Sequence, residues 1–421
     1  MRILIYSYNY SPEPIGIAPL MTELAEGLVK RGYEVRVVTG MPNYPERIIH
    51  SKYKGKFFLT EKINGVTIQR SYIHVKPQPG VLARLMLDGS FIISSLWQLF
   101  NGWQPEVIFA TIPPLLTPLP LSFYSFFCNC PIVFNIQDIV SQASIHVGLV
   151  KEDSWIIRLV QVVERMAYQN ASKISVIAEG FIRKLVDQGV PKSKIIHIPN
   201  WVDLNFIKPG KKNNFFRTKH HLEGKFVVLY SGNIALTQGL KIVIKAAARL
   251  KHIPEIAFVI VGAKDALGDL EEYRKKQAAE NVLLLPFVPR EKLPEMLSAA
   301  DIGLVVQKKN VTQFNLPSKI PIILASGRPI VASVPDTGTA MTVVKESNGG
   351  IVIPPEDDRA LAETIVELYT NPDKVKKLGQ QGRKYAEDNF GSKDALDDYE
   401  RLFSTLVSPE KEIKSLKALT K

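Results

Sequence analysis

Ile3–Val38 reads ILIYSYNYSPEPIGIAPLMTELAEGLVKRGYEVRVV, and this stretch decides the fold. Ile3–Ser7 is a short apolar run, which suits a strand buried on both faces. A polar, proline-containing loop follows from Asn9 to Gly16. Leu20, Leu24 and Leu28 then recur every four residues, which marks one face of a helix. Gly32 stands where a helix ends in the left-handed conformation, and Val35, Val37 and Val38 supply a second strand. Strand, loop, helix and strand in about 35 residues make the building block of a parallel sheet.

The alternation continues outward. Strands are predicted at Val66–Arg70, Glu106–Ala110, Pro131–Asn135 and Ser172–Ile177, and Ile195–Asp203 closes the first half. Leu204–Asn214 carries Pro209, Gly210, Lys211 and Lys212 and reads as a linker. Six more strands follow, at Phe226–Tyr230, Ile256–Val261, Asn281–Pro286, Asp301–Val306, Pro329–Ser333 and Gly350–Ile353. Helical periodicity lies between them, as in Leu240, Val243, Ile244, Ala247 and Leu250. The expected fold class is therefore α/β, with two Rossmann-like, doubly wound parallel-sheet domains at 1–203 and 204–383. Helices at 384–407 are expected to cross back to the N-terminal domain, ahead of a basic tail at 408–421. Open α/β sheets bind ligands at the carboxyl ends of their strands, so the chemistry is expected on loops after the strands, with the two domains facing across a cleft.

Apolar residues at 46% and charged residues at 22% are ordinary for a soluble globular chain of 421 residues. The net charge of +12 favours an acidic partner: a phosphorylated small molecule, anionic lipid head groups or nucleic acid. A basic array interleaved with aromatics is missing, which argues against nucleic acid. Cys128 and Cys130 are too few and too close for a disulfide framework or a zinc site, and read as packed thiols in a reducing compartment. The apolar run after Met1-Arg2 is too short for a secretory signal. Val81–Phe100 contains Arg84 and Asp88, and Leu115–Phe127 is short and interrupted by Pro118 and Pro120, so both read as buried or interfacial helices.

No dinucleotide fingerprint follows the first strand, and no phosphate-binding P-loop occurs. There is no Asp-x-Asp triplet and no His, Cys or carboxylate cluster at ligand spacing, which favours metal-free chemistry with no cofactor. Ser231-Gly232-Asn233, with Gln238 at the following helix start, is either an ordinary strand-to-helix turn or a cradle for an anion. Lys319 sits in Pro317-Ser318-Lys319 at a helix start, where the helix dipole disfavours a cation. It is either a solvated lysine or the partner of an anion.

Several segments together resemble the large "family four" group of retaining glycosyltransferases with the GT-B fold. They are SPEPIGIAPLMTELAEGLVKRG (Ser11–Gly32), VLYSGNIALTQGLKIVIKAA (Val228–Ala247), FVIVG (Phe258–Gly262), LPFVPREKLPEMLSAADIGLV (Leu285–Val305) and LPSKIPIILASGRPIVAS (Leu316–Ser333). The match runs in order from Met1 to about Leu406, and it looks most like the bacterial exopolysaccharide branch, with fucosyl- and N-acetylfucosaminyl-transferase-like wording. The resemblance implies a donor nucleotide sugar, with UDP or GDP as carrier. It implies donor contacts from Gly16, Ser231, Gly232, Asn233, Gln238, Gly262, Phe287, Val288, Ser318 and Lys319. A second small-residue turn, Gly338-Thr339-Ala340, would give backbone N–H groups to the diphosphate. Phe287 is equally readable as a core residue. Glu13, Gln137 and Asp138 would meet the acceptor, with Asp138 and Lys319 as catalytic candidates; Asp138 is also readable as a helix cap.

The sequence departs from the family pattern at telling places. Gln137 stands where the wider family often has His, Asn233 and Gln238 where it has Arg and Lys, and Phe314 and Ile322 where it has two glutamates. The expected function is metal-independent, retaining sugar transfer to a glycan or lipid-linked glycan acceptor. The expected setting is the cytoplasm, with peripheral attachment to anionic lipid on the inner face of the plasma membrane. Two rivals stand beside it: a non-catalytic nucleotide-sugar-binding subunit, and a UDP-sugar 2-epimerase on the same fold.

Overall fold

The structure is a computed structural model of the 421-residue chain, and it describes all residues except 15, 45–46, 77–79, 142–153, 235–237, 312–315 and 408–421. It divides into two units: Met1–Ile198 with the described residues from Lys393 on, and Pro199–Ser392.

The first unit is built on an eight-stranded sheet. Its strands are β1 (Arg2–Tyr6), β2 (Glu34–Gly40), β3 (Phe58–Ile63), β4 (Val66–Ser71), β5 (Val107–Ile112), β6 (Ile132–Ile136), β7 (Lys173–Val176) and β8 (Ile195–His197). They lie in the order β3-β4-β2-β1-β5-β6-β7-β8. All neighbouring pairs are parallel except β3 with β4. β5 and β6 are buried along their whole length, which is what their unbroken apolar runs require. The order reverses between β1 and β5, so loops from these strands diverge at the carboxyl edge. β3 is an addition to the sequence reading. It alternates exposed and half-buried residues, and joins β4 through Asn64-Gly65, whose φ values of 49° and 84° suit a two-residue hairpin.

The helix Ala18–Lys30 buries Met21, Leu24, Ala25 and Leu28, the face that the leucine spacing predicts. It stops as expected: Gly32 has φ 88°, and its N–H bonds to Val29 O at 2.9 Å while Tyr33 N–H bonds to Leu28 O at 3.2 Å. The last described helix, Ser392–Val407, also belongs to this unit. Tyr399 and Phe403 are buried against Phe109, with ring centroids 5.0 and 5.6 Å away. Arg31 pairs with Asp397 and Glu400, and Tyr33 Oη donates to Glu400 at 2.6 Å.

The second unit holds β9 (Phe226–Ser231), β10 (Ile256–Gly262), β11 (Val282–Pro286), β12 (Ile302–Val306), β13 (Ile330–Ser333) and β14 (Gly350–Ile353). Their order, β11-β10-β9-β12-β13-β14, is wholly parallel and reverses between β9 and β12. Leu240, Val243, Ile244, Ala247 and Leu250 are all buried, as their spacing predicts. Beneath the amino ends of the strands, Arg217 and Asp301 form a buried ion pair at 2.7 Å. Asp301 also accepts Val227 N–H at 2.8 Å, and Arg217 donates to the carbonyls of Ala299 and Lys225.

The chain leaves the first unit at Ile198, ahead of the expected boundary at Asp203. Val202 N–H bonds to Phe390 O at 2.8 Å, and Ile207 is buried in the second core. Leu204–Asn214 is therefore packed rather than free: Leu204 and Phe206 lie against that core, and Arg383 donates to Ile207 O at 2.9 Å. Of the two cysteines, Cys130 is buried and Cys128 half-buried; both are free. Among the described residues no helix is long and apolar enough to cross a membrane.

Candidate active site

In the second unit the expected donor residues gather on loops at the carboxyl edge of the sheet. β9 ends at Ser231, and Gly232 follows with φ 143°, a conformation that favours glycine. Gly232 N–H still bonds to Val261 O at 3.1 Å, so the turn stays attached to β10. Tyr230, the buried penultimate residue of β9, fixes what comes next. Its Oη donates to Asn233 O at 2.7 Å and reaches Gln238 Oε1 at 3.4 Å. Asn233 and Gln238 thus shape the turn through Tyr230.

Lys319 opens the short helix Lys319–Ala325 and is carried onto this same turn. Its Nζ lies 3.9 Å from the centre of the Tyr230 ring. A Cβ placed on Gly232 would stand 3.0 Å from Lys319 Cε and 3.1 Å from Nζ. The side chain is half-buried, and no carboxylate forms a salt bridge with it among the described residues. Burial pushes its pKa down to about 7. The lysine is thus packed over an aromatic ring instead of extending freely into solvent. Ser318, beside it, is exposed, and its side chain makes no cap hydrogen bond.

The turn after β13 has the second expected geometry. Gly338, with φ 127°, precedes the helix Thr339–Glu346, whose first-turn amides have no acceptor within the helix. Ala340 is buried in the core, so it can meet a ligand only through its backbone. Gly262 is required for packing: a Cβ there would collide with Ile234. Phe287 and Val288 lie half-buried against the core after β11, which satisfies the core reading of Phe287.

Sequence reasoning missed Lys308. It follows β12, the neighbour of β9 at the reversal point, and its Cγ would stand 3.0 Å from a Cβ on Gly239. The signal was available, because the first residues past a strand at the reversal point line the ligand crevice. Of the positions that depart from the family pattern, Ile322 packs against the core, and Phe314 lies outside the described residues. An open groove of about 690 Å³, lined by Lys225, Asp301 and Arg328, sits at the opposite, amino end of the strands.

The acceptor candidates belong to the first unit. Glu13 is buried, and its Oε1 accepts Asn43 N–H at 2.8 Å and Tyr44 N–H at 2.9 Å. Its Oε2 accepts Asn9 Nδ2 at 2.6 Å. Burial raises its pKa, and these hydrogen bonds act in the opposite direction. Glu13 therefore ties the loop after β1 to the loop after β2. Gly16, in the same loop, is exposed with φ 71°. Gln137 and the half-buried Asp138 follow β6. Gln137 Nε2 donates to Asn135 Oδ1 at 2.5 Å, and Asn135 Nδ2 donates to Ser175 Oγ at 3.2 Å and Tyr399 Oη at 3.1 Å.

Residues 16–201 match the family described as glycosyl transferase 4-like domain, and residues 211–385 match glycosyl transferases group 1. The Escherichia coli K12 protein named for colanic acid biosynthesis, the glycosyl transferase WcaI, is 31% identical over 405 residues, which span 94% of this chain and 98% of that one. The chain belongs to the group 1 glycosyltransferases. Membership decides for a transferase over the epimerase and the non-catalytic subunit. Among solved structures, sucrose-phosphate synthase from Thermosynechococcus elongatus matches the transferase with a TM-score of 0.74 and 18% identity over 97% of this chain and 100% of that one. Anabaena HepE, solved with UDP and glucose, matches with a TM-score of 0.73 and 18% identity over 96% and 100%. These likenesses span both units of the transferase and carry the GT-B fold.

Proposed function

We propose that the transferase moves a sugar from a nucleotide-diphosphate sugar, carried on UDP or GDP, to a growing exopolysaccharide or glycan acceptor. The acceptor is lipid-linked and is met at the inner face of the plasma membrane. Transfer proceeds with retention of the anomeric configuration and without a metal ion. The observation that carries the reading is Lys319 over Tyr230, beside the Gly232 turn. A cation with no carboxylate salt bridge, next to a glycine turn that admits close approach, suits a diphosphate. The amides of Ala340 and Met341, in the first helical turn after Gly338, supply further donors. HepE's complex with UDP and WcaI's assignment to colanic acid support the choice of donor and acceptor class.

Breaking the glycosidic bond puts negative charge on the leaving diphosphate, which preorganised donors stabilise more in the transition state than in the ground state. Lys319 and the backbone amides do this work. The leaving phosphate accepts the proton of the acceptor hydroxyl, and Asp138 orients that hydroxyl. Glu13 and Gln137 act by holding the loops around it.

A thermal-shift panel with UDP, GDP, ADP and their common sugar conjugates tests the donor class. One diphosphate carrier is expected to raise the melting temperature well above the others. With the donor so identified, transfer in excess EDTA is expected to keep its full rate, and NMR of the product to show the donor's anomeric configuration. Loss of activity in EDTA, restored by Mg²⁺ or Mn²⁺, would remove the metal-free mechanism. Gly232→Ala is expected to weaken donor binding about tenfold, through crowding of Lys319, and to lower the melting temperature by a few degrees (on the order of 1–3 kcal/mol) through strain at φ 143°. Isothermal titration reads the affinity directly.

A further inference from the structure

The helix Val81–Leu99 seats Phe91 and Leu99 in the core among several polar residues, and turns large apolar residues toward solvent. Its inner face buries Asp88, Ser94, Ser95 and Gln98. Ser95 Oγ lies 2.6 Å from Tyr6 Oη, and Gln98 Nε2 donates to Arg70 O. Its outer face presents Leu85, Ile93 and Trp97, the last two 74% and 73% exposed. A helix face washed by water carries charged and polar residues instead.

The surface does not stop at this helix. Pro118–Cys128 packs beside it and Trp155–Asn170 packs beside that, and they expose Phe126 (83%), Phe127, Trp155 and Leu159. Ring contacts join the pieces. Phe58 of β3 stacks with Trp97 at 6.5 Å, and Phe100 meets Phe123 and Phe127 at 6.2 Å each. Isolated exposed apolar residues are ordinary, but one continuous field across three helices and a strand is not.

Charge selects the occupant. The two acidic residues of these three helices, Asp88 and Glu164, are buried. Glu164 is consumed by Ser141, whose N–H and Oγ it accepts at 3.0 and 2.7 Å. The exposed charges are Arg84, Arg158 and Arg165. An apolar, aromatic field whose three helices expose only positive charge among the described residues matches the acyl boundary and phosphate layer of an anionic membrane. A second copy brought face to face would instead set arginine against arginine.

We propose that this face seats the first unit in the interface of an anionic phospholipid bilayer, entering the acyl boundary without crossing it. This deepens the membrane part of the function above and rests on that reading, but its test is separate from transfer. The full chain floats with vesicles of phosphatidylglycerol and phosphatidylcholine, and binds pure phosphatidylcholine more weakly. With acyl-brominated lipid, the fluorescence of exposed Trp97 and Trp155 is quenched. The variant Ile93→Gln/Phe123→Gln/Phe126→Gln/Leu159→Gln loses more than about a hundredfold in partitioning, with an unchanged circular dichroism spectrum and an unchanged thermal shift by UDP or GDP. Equal flotation of the variant, or bound protein with unquenched tryptophans, overturns the proposal. A solution dimer that keeps its tryptophans unquenched on vesicles assigns the face to a second copy and also overturns it. Failure to float with an intact nucleotide response sinks the seating alone. Loss of the nucleotide response in the unaltered chain sinks the donor reading instead.

Discussion

Lys319→Ala is expected to lower kcat/KM for the nucleotide sugar by about a hundredfold to a thousandfold, the range for removing a group aimed at developing negative charge. Lys319→Met, which keeps most of the bulk, is expected to lose nearly as much, because the charge and not the packing over Tyr230 is at stake. The same residue fixes a pH dependence. Burial holds its pKa down to about 7, so above neutral pH the free protein carries Lys319 largely uncharged. A diphosphate favours the charged form, so binding takes up a proton there. Affinity should therefore fall as pH rises from 7 and level off below it, as far as this group is concerned. Calorimetric titrations at about pH 8, in two buffers of different ionisation enthalpy, read the uptake as a difference in heat. The difference should vanish in Lys319→Ala. Equal heats in the unaltered protein would detach Lys319 from the diphosphate.

Asp301→Ala should have the largest effect on stability, a loss of about 3–5 kcal/mol. Both members of the Arg217–Asp301 pair are nearly inaccessible, at 1% and 5% side-chain exposure. Removing the carboxylate leaves a buried guanidinium without its counter-charge and strips Val227 N–H of its acceptor at the foot of β9. Denaturant unfolding followed by tryptophan fluorescence and circular dichroism measures the loss. A change under about 1 kcal/mol would mean that Arg217 is held well enough by the carbonyls of Ala299 and Lys225.

The parts of the fold that were legible in the sequence are those set by local periodicity. The leucine stripe of Ala18–Lys30 and its Gly32 stop were readable because helix face and termination depend on a few adjacent residues. β3 escaped because it is a half-exposed edge strand without an apolar run, although Asn64-Gly65 between alternating segments announced its hairpin. Leu204–Asn214 looked like a linker from its Pro, Gly and Lys content, but Phe206 and Ile207 bring it onto the second core.

The candidate site divides the same way. Lys319 was legible because a cation at a helix start conflicts with the dipole. Its pairing with Tyr230 was not legible, since those residues meet only when β9 lies at the reversal point. A glutamate in a polar loop such as Ser11–Gly16 reads as solvent-facing, and only the fold reveals that Glu13 is sealed in by the amides of Asn43 and Tyr44. The bond from Asn135 to Tyr399 spans 264 positions, beyond any local pattern.

That long-range bond sets the order in which a nascent chain can finish its parts. The helix Ser392–Val407 supplies Tyr399 and Phe403 to the sheet that begins at Arg2. The opening half of the polypeptide thus leaves the ribosome incomplete and waits through synthesis of the whole second unit before its last wall arrives. Translation that halts before this helix leaves Phe109 without its ring partners and Arg31 without its carboxylates.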